Sequence, residues 1–344
     1  MQVQNAMSAA ARVVDAKIGW NRIAFAVSLL IIAVASVTLF RLLRDVDLER
    51  VRAALEATTP RTILLAGLLV AAGYVTLTFY DYFALRTIGR CHVPYRIAAL
   101  ASFTSYTIGH SLGATVFTGG VVRLRIYSAW GLGIIDITKI AFVTGLTFWL
   151  GNAFILGLSV AYAPEAASAV DQLPPWLNQA LALTGLAVIV GYVLWLVPVP
   201  RIIGYGDWQI TLPNAPLTFV QIGIGILDLT IGALAMYVLL PGEPSIDFTM
   251  LLVTFVLATL LGFLSHAPGS LGVFDAAMLL GLSQFDKNEL LASLLIFRVV
   301  YFILPFFLAL CVLGTRELWL SLTKPEDCRT PSPGRSPPLP TIDK

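Results

Sequence analysis

Stretches without a charged side chain recur along the whole chain, at residues 23–40, 62–80, 97–122, 140–164, 172–200, 208–227, 248–274 and 299–315, with a shorter one at 229–242. A bilayer core of about 30 Å needs roughly 20 consecutive apolar helical residues, so this spacing predicts an all-α polytopic integral membrane protein with about eight transmembrane helices. Two of the runs contain glycine or proline turns, which predict broken or re-entrant helical segments inside the membrane. The first run follows Arg12, Lys17 and Arg22 and holds a cleavage-like Ala33-Val34-Ala35 triplet. Because the apolar stretch continues past that triplet to Phe40, an uncleaved signal anchor is favoured over a cleaved signal peptide.

The segments between the runs give a topology. Residues 41–61 set Leu42, Val46, Leu48, Val51, Ala54 and Leu55 among mixed charges, the pattern of a short amphipathic helix at the interface or of a connector. The loop at 163–175 holds Glu165 and Asp171 and the loop at 241–247 holds Glu243 and Asp247, so both read as outside. Arg201, and Arg316, Lys324, Arg329, Arg335 and Lys344 at the chain end, read as inside. The resulting organisation is a cytoplasmic N-terminus at 1–19, a membrane domain at 20–314, and a proline-rich, disordered cytoplasmic tail at 315–344. One segment conflicts with this scheme: 41–61 falls outside although it carries five arginines against four acids.

Composition narrows the class further. Of 344 residues 58% are hydrophobic and 12% are charged, the latter about half the usual share of soluble domains, which excludes a water-soluble fold. The net charge of +2 provides no basic field that would attract nucleic acid. Cys91, Cys311 and Cys328 stand apart with no ligand or redox spacing and read as reduced thiols. With no Walker loop, zinc spacing or dinucleotide fingerprint, no cofactor or metal is expected.

Charged and glycine-rich positions inside the runs carry the candidate chemistry. Thr118 to Leu132 places Gly119 and Gly120, which would allow a backbone bend, directly before Arg123 and Arg125, two guanidinium groups suited to holding a phosphate; positive-inside anchoring explains the arginines equally well. Ser265 to Ala276 breaks a helix with Pro268, Gly269 and Gly272 and then presents Asp275, which could attract a cationic headgroup or a proton or merely begin a helix near water. Asp228 interrupts a long apolar run and Arg298 sits inside another; a buried pair between them, or with Lys139 and Asp81, would lower the cost of each. His92, His110 and His266 read as polar core or interface residues. Gly109-His110-Ser111-Leu112-Gly113 fits a nucleophile elbow, but that device needs a strand before the serine, so an intramembrane Ser111–His266 hydrolase is disfavoured.

These features fall into two units. Asp81, the run 97–120, the glycine pair, Arg123 and a span with Lys139 form one. Asp228, the run 248–266, the turn 268–272, Asp275 and a span with Arg298 form the other. The loop signs start the units on opposite sides, which is the order of an inverted-topology repeat.

Tyr80-Asp81, Gly119-Gly120-Val121-Val122-Arg123 with Tyr127 and Gly131-Leu132, and Pro268-Gly269-Ser270-Leu271-Gly272-Val273-Phe274-Asp275 resemble the transmembrane flippase region of lysylphosphatidylglycerol synthase, the multiple peptide resistance factor, over about residues 20–314. The family commonly has glycine where Ser270 stands and glutamate where Asp275 stands. The resemblance implies a bacterial inner-membrane protein that moves a lipid between leaflets along a path formed by the broken helices. The full-length synthases continue into a second membrane region and an aminoacyltransferase domain, whereas this sequence continues into a proline-rich stretch, so the chain is expected not to be an enzyme. Its expected partners are membrane lipids. The competing expectation is a non-transporting scaffold for a lipid-modifying or glycosyltransferase enzyme.

Overall fold

A computed structural model describes residues 47–113, 115–197, 201–205 and 208–323. The expected first span at 23–40, Cys328 and the segment 324–344 lie outside the described residues. The architecture is all-α: α1 Leu48–Ala57, α2 Pro60–Thr87, α3 Tyr95–Leu112, α4 Thr115–Tyr127, α5 Ile134–Tyr162, α6 Pro164–Asp171, α7 Pro175–Leu196, α8 Ala215–Leu239, α9 Phe248–Ser265, α10 Val273–Gly281, α11 Lys287–Arg298 and α12 Leu304–Thr323. A two-stranded antiparallel ribbon, β1 Ile202–Tyr205 with β2 Trp208–Thr211, joins α7 to α8. Six described stretches are long and apolar enough to cross a membrane, among them Lys287–Arg316, which runs through α11 into α12.

Polar caps start the spans. Thr59 and Asn214 accept from the first-turn amides of α2 and α8, each with proline just inside the helix, and Asp286 caps α11 through the amides of Asn288 and Glu289. Inside the bundle, backbone proximity is set by glycine. A Cβ on Gly151 of α5 would fall 2.4 Å from Gly225 Cα of α8, so these two helices cross with their backbones in contact. Gln221 of α8 donates to Thr147 of α5 at 2.9 Å one turn away, which makes α5 and α8 parallel. α2 packs against α8 in the opposite sense, with Gly73 against Ile231 and Tyr80 against Asp228.

Three expectations are corrected here: where the first hairpin turns, how the runs around Asp228 divide, and where the terminal helix ends. The run 97–122 breaks as expected but not at its glycine pair: it folds into a hairpin, α3 and α4, that turns at Gly113 (φ +77°). The run 248–274 turns back where its proline and glycines predict, through a 3₁₀ turn at Pro268–Ser270 into α10. The runs 208–227 and 229–242, conversely, merge into the single helix α8, because the charge that separates them, Asp228, accepts a hydrogen bond from Tyr80 of α2. At the chain end, helix α12 continues beyond residue 314 to Thr323, through the first part of the stretch expected to be disordered.

The order of elements is that of an inverted repeat. α2, the α3–α4 hairpin and α5 form one unit; α8, the α9–α10 hairpin and α11–α12 form the second. Following the chain through these turns, the first hairpin enters from the end that carries Arg86, Arg90, Arg96 and Arg201, and the second from the end that carries Glu165, Asp171, Glu243 and Asp247. The tips meet inside the bundle: a Cβ on Gly113 would lie 2.7 Å from the His266 carbonyl oxygen and 3.3 Å from Pro268 N. Helix α1 sits at the acidic end, where Asn288 Oδ1 accepts from the Asp47 amide at 2.9 Å. The disputed connector is thereby placed on the same end as the other acidic loops.

Candidate functional site

The hairpin tips and the helices around them enclose a cavity of about 260 Å³, whose lining includes Tyr80, Tyr106, His110, Arg123, Asp228 and Tyr301. Charged groups reach it in two different ways.

Arg123 comes from α4. Its guanidinium donates through Nε to both Asp81 oxygens (3.2 and 2.9 Å) and through Nη2 to Oδ1 (2.8 Å), while Tyr127 donates to Oδ2 at 2.9 Å. Asp81 has no exposed surface and Arg123 is 4% exposed, so the ion pair is removed from solvent and its remaining lone pairs are satisfied by the tyrosine. The guanidinium carbon lies 4.8 Å from the centre of the Tyr106 ring, a cation–π contact. Nη1 makes no hydrogen bond among the described residues and borders Gly119, where a Cβ would come within 3.4 Å of it. Arg123 is also among the residues that line the cavity.

Asp228 comes from α8. Tyr80 donates to its Oδ2 at 3.2 Å, and among the described residues no cation pairs with it. Tyr80 packs edge-on against Tyr106 at 5.7 Å. The Tyr80–Tyr106 pair thus links Asp228 to Arg123, whose guanidinium lies over the Tyr106 ring.

Arg298 does not pair with Asp228, contrary to the pairing weighed from sequence. It lies at the C-terminal end of α11, where Nε donates to Asp275 Oδ1 at 3.0 Å, Nη2 donates to Oδ2, and Nη1 donates to the Gly269 carbonyl at 3.1 Å. Asp275 also accepts from the Gly272 amide at 3.1 Å, closing the first turn of α10. The whole of this guanidinium is spent on tying the second hairpin tip to α11. A π-helical turn at Val299–Ile303 follows at once, a local widening frequent at functional sites, and Tyr301 within it lines the cavity.

Arg123 and Arg125 do not form one clamp. Two positions along a helix point to nearly opposite faces; Arg123 faces Asp81 and Arg125 is exposed. Nor do Gly119 and Gly120 bend the chain, since both lie within α4 and the break falls earlier, at Gly113. Gly119 instead admits the Ser105 carbonyl of α3, 3.1 Å from where its Cβ would be. Pro268, Gly269 and Gly272 do form the expected break, with Gly269 and Gly272 at positive φ. His92 bonds the Trp130 carbonyl across the base of the first hairpin at 3.1 Å, and Ser111 lies in the last turn of α3 with no strand before it.

The sequence reading missed the Arg90–Asp136 pair, held by two hydrogen bonds of 3.2 and 3.0 Å, which clamps the base of the first hairpin to α5. Its signal was present: Gly133 with Asp136 three residues on repeats the spacing of Gly272 and Asp275, and both form the same backbone-to-carboxylate cap. It also missed Tyr106, Tyr301 and the aromatic lining, because aromatic residues in apolar runs look alike whether they face lipid or a cavity.

No family model matches the chain. It is 28% identical over 271 residues to the protein slr0712 of Synechocystis, covering 78% of this chain and 84% of that one. It is 27% identical over 258 residues to the inner membrane protein YbhN of Escherichia coli, covering 71% and 78% respectively. A third relative, phosphatidylglycerol lysyltransferase of Bacillus subtilis, is 27% identical over 272 residues, which are 74% of this chain but 29% of the enzyme. The chain is thus a multi-pass membrane protein whose homologues include YbhN and the phosphatidylglycerol lysyltransferases, consistent with the family whose transmembrane region its glycine segments resemble.

Proposed function

We propose that the protein is a lipid translocator of a bacterial inner membrane that passes a phospholipid headgroup between leaflets through the central cavity, without enzymatic modification of the lipid. The observation that carries this reading is the cavity between two opposed hairpin tips, lined by both Arg123 and Asp228, the latter with no cation paired to it among the described residues. A headgroup with an ammonium beyond its phosphate matches both: Arg123 Nη1 donates to the phosphate, and Asp228 receives the ammonium. Aminoacylated phospholipids and phosphatidylethanolamine belong to this class. Two relatives with inner-membrane or phosphatidylglycerol-directed names agree with the setting. The arginine-rich end of the bundle is the cytoplasmic one by the positive-inside rule, which puts Arg125 and Arg201 inside and α1 outside.

Asp275 and Arg298 hold the second hairpin rather than the headgroup, and replacing Asp275 would confound folding with transport. The decisive variant is therefore Asp228→Asn, which keeps an acceptor for Tyr80 and removes only the charge. In proteoliposomes with fluorescent phospholipids and a membrane-impermeant quencher, the wild type flips lipids bearing an ammonium headgroup and Asp228→Asn loses at least tenfold in rate. Absence of flipping with any headgroup by folded wild-type protein, or an Asp228→Asn variant as fast as wild type, rejects the assignment.

A further inference from the structure

We infer that the cavity has a lateral mouth between α4 and α5 through which the acyl chains of the transported lipid stay in the bilayer, and that Gly145 is the gap that keeps it open; this inference rests on the translocator reading. The volume argues first. A space of about 260 Å³ is at or below the lower end of the roughly 300–1,000 Å³ of small-molecule pockets, enough for a headgroup but not for two acyl chains. The chains of any lipid whose head occupies it must leave through the wall.

The wall is open on one side. Phe117, at the tip end of α4, and Trp149, near the midpoint of α5, both line the cavity although they are 79% and 43% exposed. A side chain that borders an internal space and also faces the surroundings of a membrane helix marks an opening toward lipid. Gly145 lies one turn before Trp149, lines the same cavity, and has nothing within 4 Å of where a Cβ would be. Beyond Trp149 the second hairpin tip crosses this wall: the Phe263 ring lies 5.3 Å from Phe148 and 5.9 Å from Trp149, with His266 beside it at the cavity edge. The mouth beside Gly145 thus lies on the arginine-rich side of Trp149, and the Trp149–Phe263 contact is what must part for the chains to reach the other leaflet.

The test adds bulk at equal cost in two places. Gly145→Trp fills the mouth, while Gly191→Trp on the exposed face of α7, also with open space around its Cβ position, adds the same side chain away from the cavity. With both variants folded by thermal-shift and gel-filtration criteria, Gly191→Trp flips a two-chain phosphatidylethanolamine at the wild-type rate and Gly145→Trp is slowed at least tenfold, with Gly145→Leu between them. Equal rates for Gly145→Trp and Gly191→Trp overturn the mouth while leaving translocation intact. A silent wild type overturns the translocator reading instead, so the two failures are distinguishable.

Discussion

The two hairpins share an order of elements and differ in what their arginines do. In the first, Arg123 stands on the returning helix and is neutralised by Asp81 from α2, with Nη1 making no hydrogen bond among the described residues. In the second, the returning helix α10 carries the acid, Asp275, and Arg298 reaches it from α11 while also holding the Gly269 carbonyl. The first arrangement anchors a hairpin and leaves a donor available to a ligand, whereas the second is closed on itself. A charged residue inside a membrane is thus a weak guide to function until its partners are counted. Asp228, which among the described residues accepts from Tyr80 and pairs with no cation, is the exception that marks the site.

Breaking the first hairpin's anchor has the largest expected effect. Asp81→Ala leaves a fully desolvated guanidinium, a loss of about 3–5 kcal/mol, and is expected to abolish folded protein by gel filtration. The double variant Asp81→Asn/Arg123→Gln removes both charges and recovers most of the folded fraction; recovery no better than Asp81→Ala would show that the pair does not anchor the hairpin. The second clasp is only partly buried, so Arg298→Ala is expected to cost about 1.5–3 kcal/mol, the range for hydrogen bonds to charged groups. A thermal-shift assay reads this, and Arg298→Lys should restore only part because one amine cannot reproduce the fork. A melting temperature equal to wild type for Arg298→Ala would remove the distinction drawn between the two arginines.

The glycines sharpen the comparison at smaller scale. Gly113 lies at φ +77° with a carbonyl 2.7 Å from its absent Cβ, so Gly113→Ala should lose roughly 1–3 kcal/mol from backbone strain alone. Gly120, inside α4 with no atom within 4 Å, should by contrast gain up to about 1 kcal/mol as alanine through helix propensity. Thermal shifts of opposite sign for these two variants locate the break at Gly113. The same sign would return it to the glycine pair.

Much of this was legible in the sequence because it depends on local chemistry. The uncharged runs marked every described span, since lipid tolerates only helices whose backbone groups bond internally. The pairing of a broken segment with a preceding acid in each half exposed the repeat. Pro268–Gly272 was placed correctly as a break, because proline and left-handed glycine act within their own turn of chain. Gly119–Gly120 was misplaced because a glycine pair is equally suited to a bend and to close helix packing. Only the neighbouring Ser105 carbonyl decides between them.

By itself, then, the sequence determined that the chain is a helical membrane protein, which end of the bundle is basic, and that Pro268–Gly272 interrupts its helix. Tertiary structure decided which runs cross and which turn back, which acids Arg90, Arg123 and Arg298 meet, and that Asp228 pairs with no cation among the described residues. The physical reason is range. Hydropathy, capping and glycine conformation act over a few residues. Ion pairing and cavity formation depend on helices brought together across long separations, as Tyr80 and Asp228 are across 148 positions, and no periodicity records that meeting.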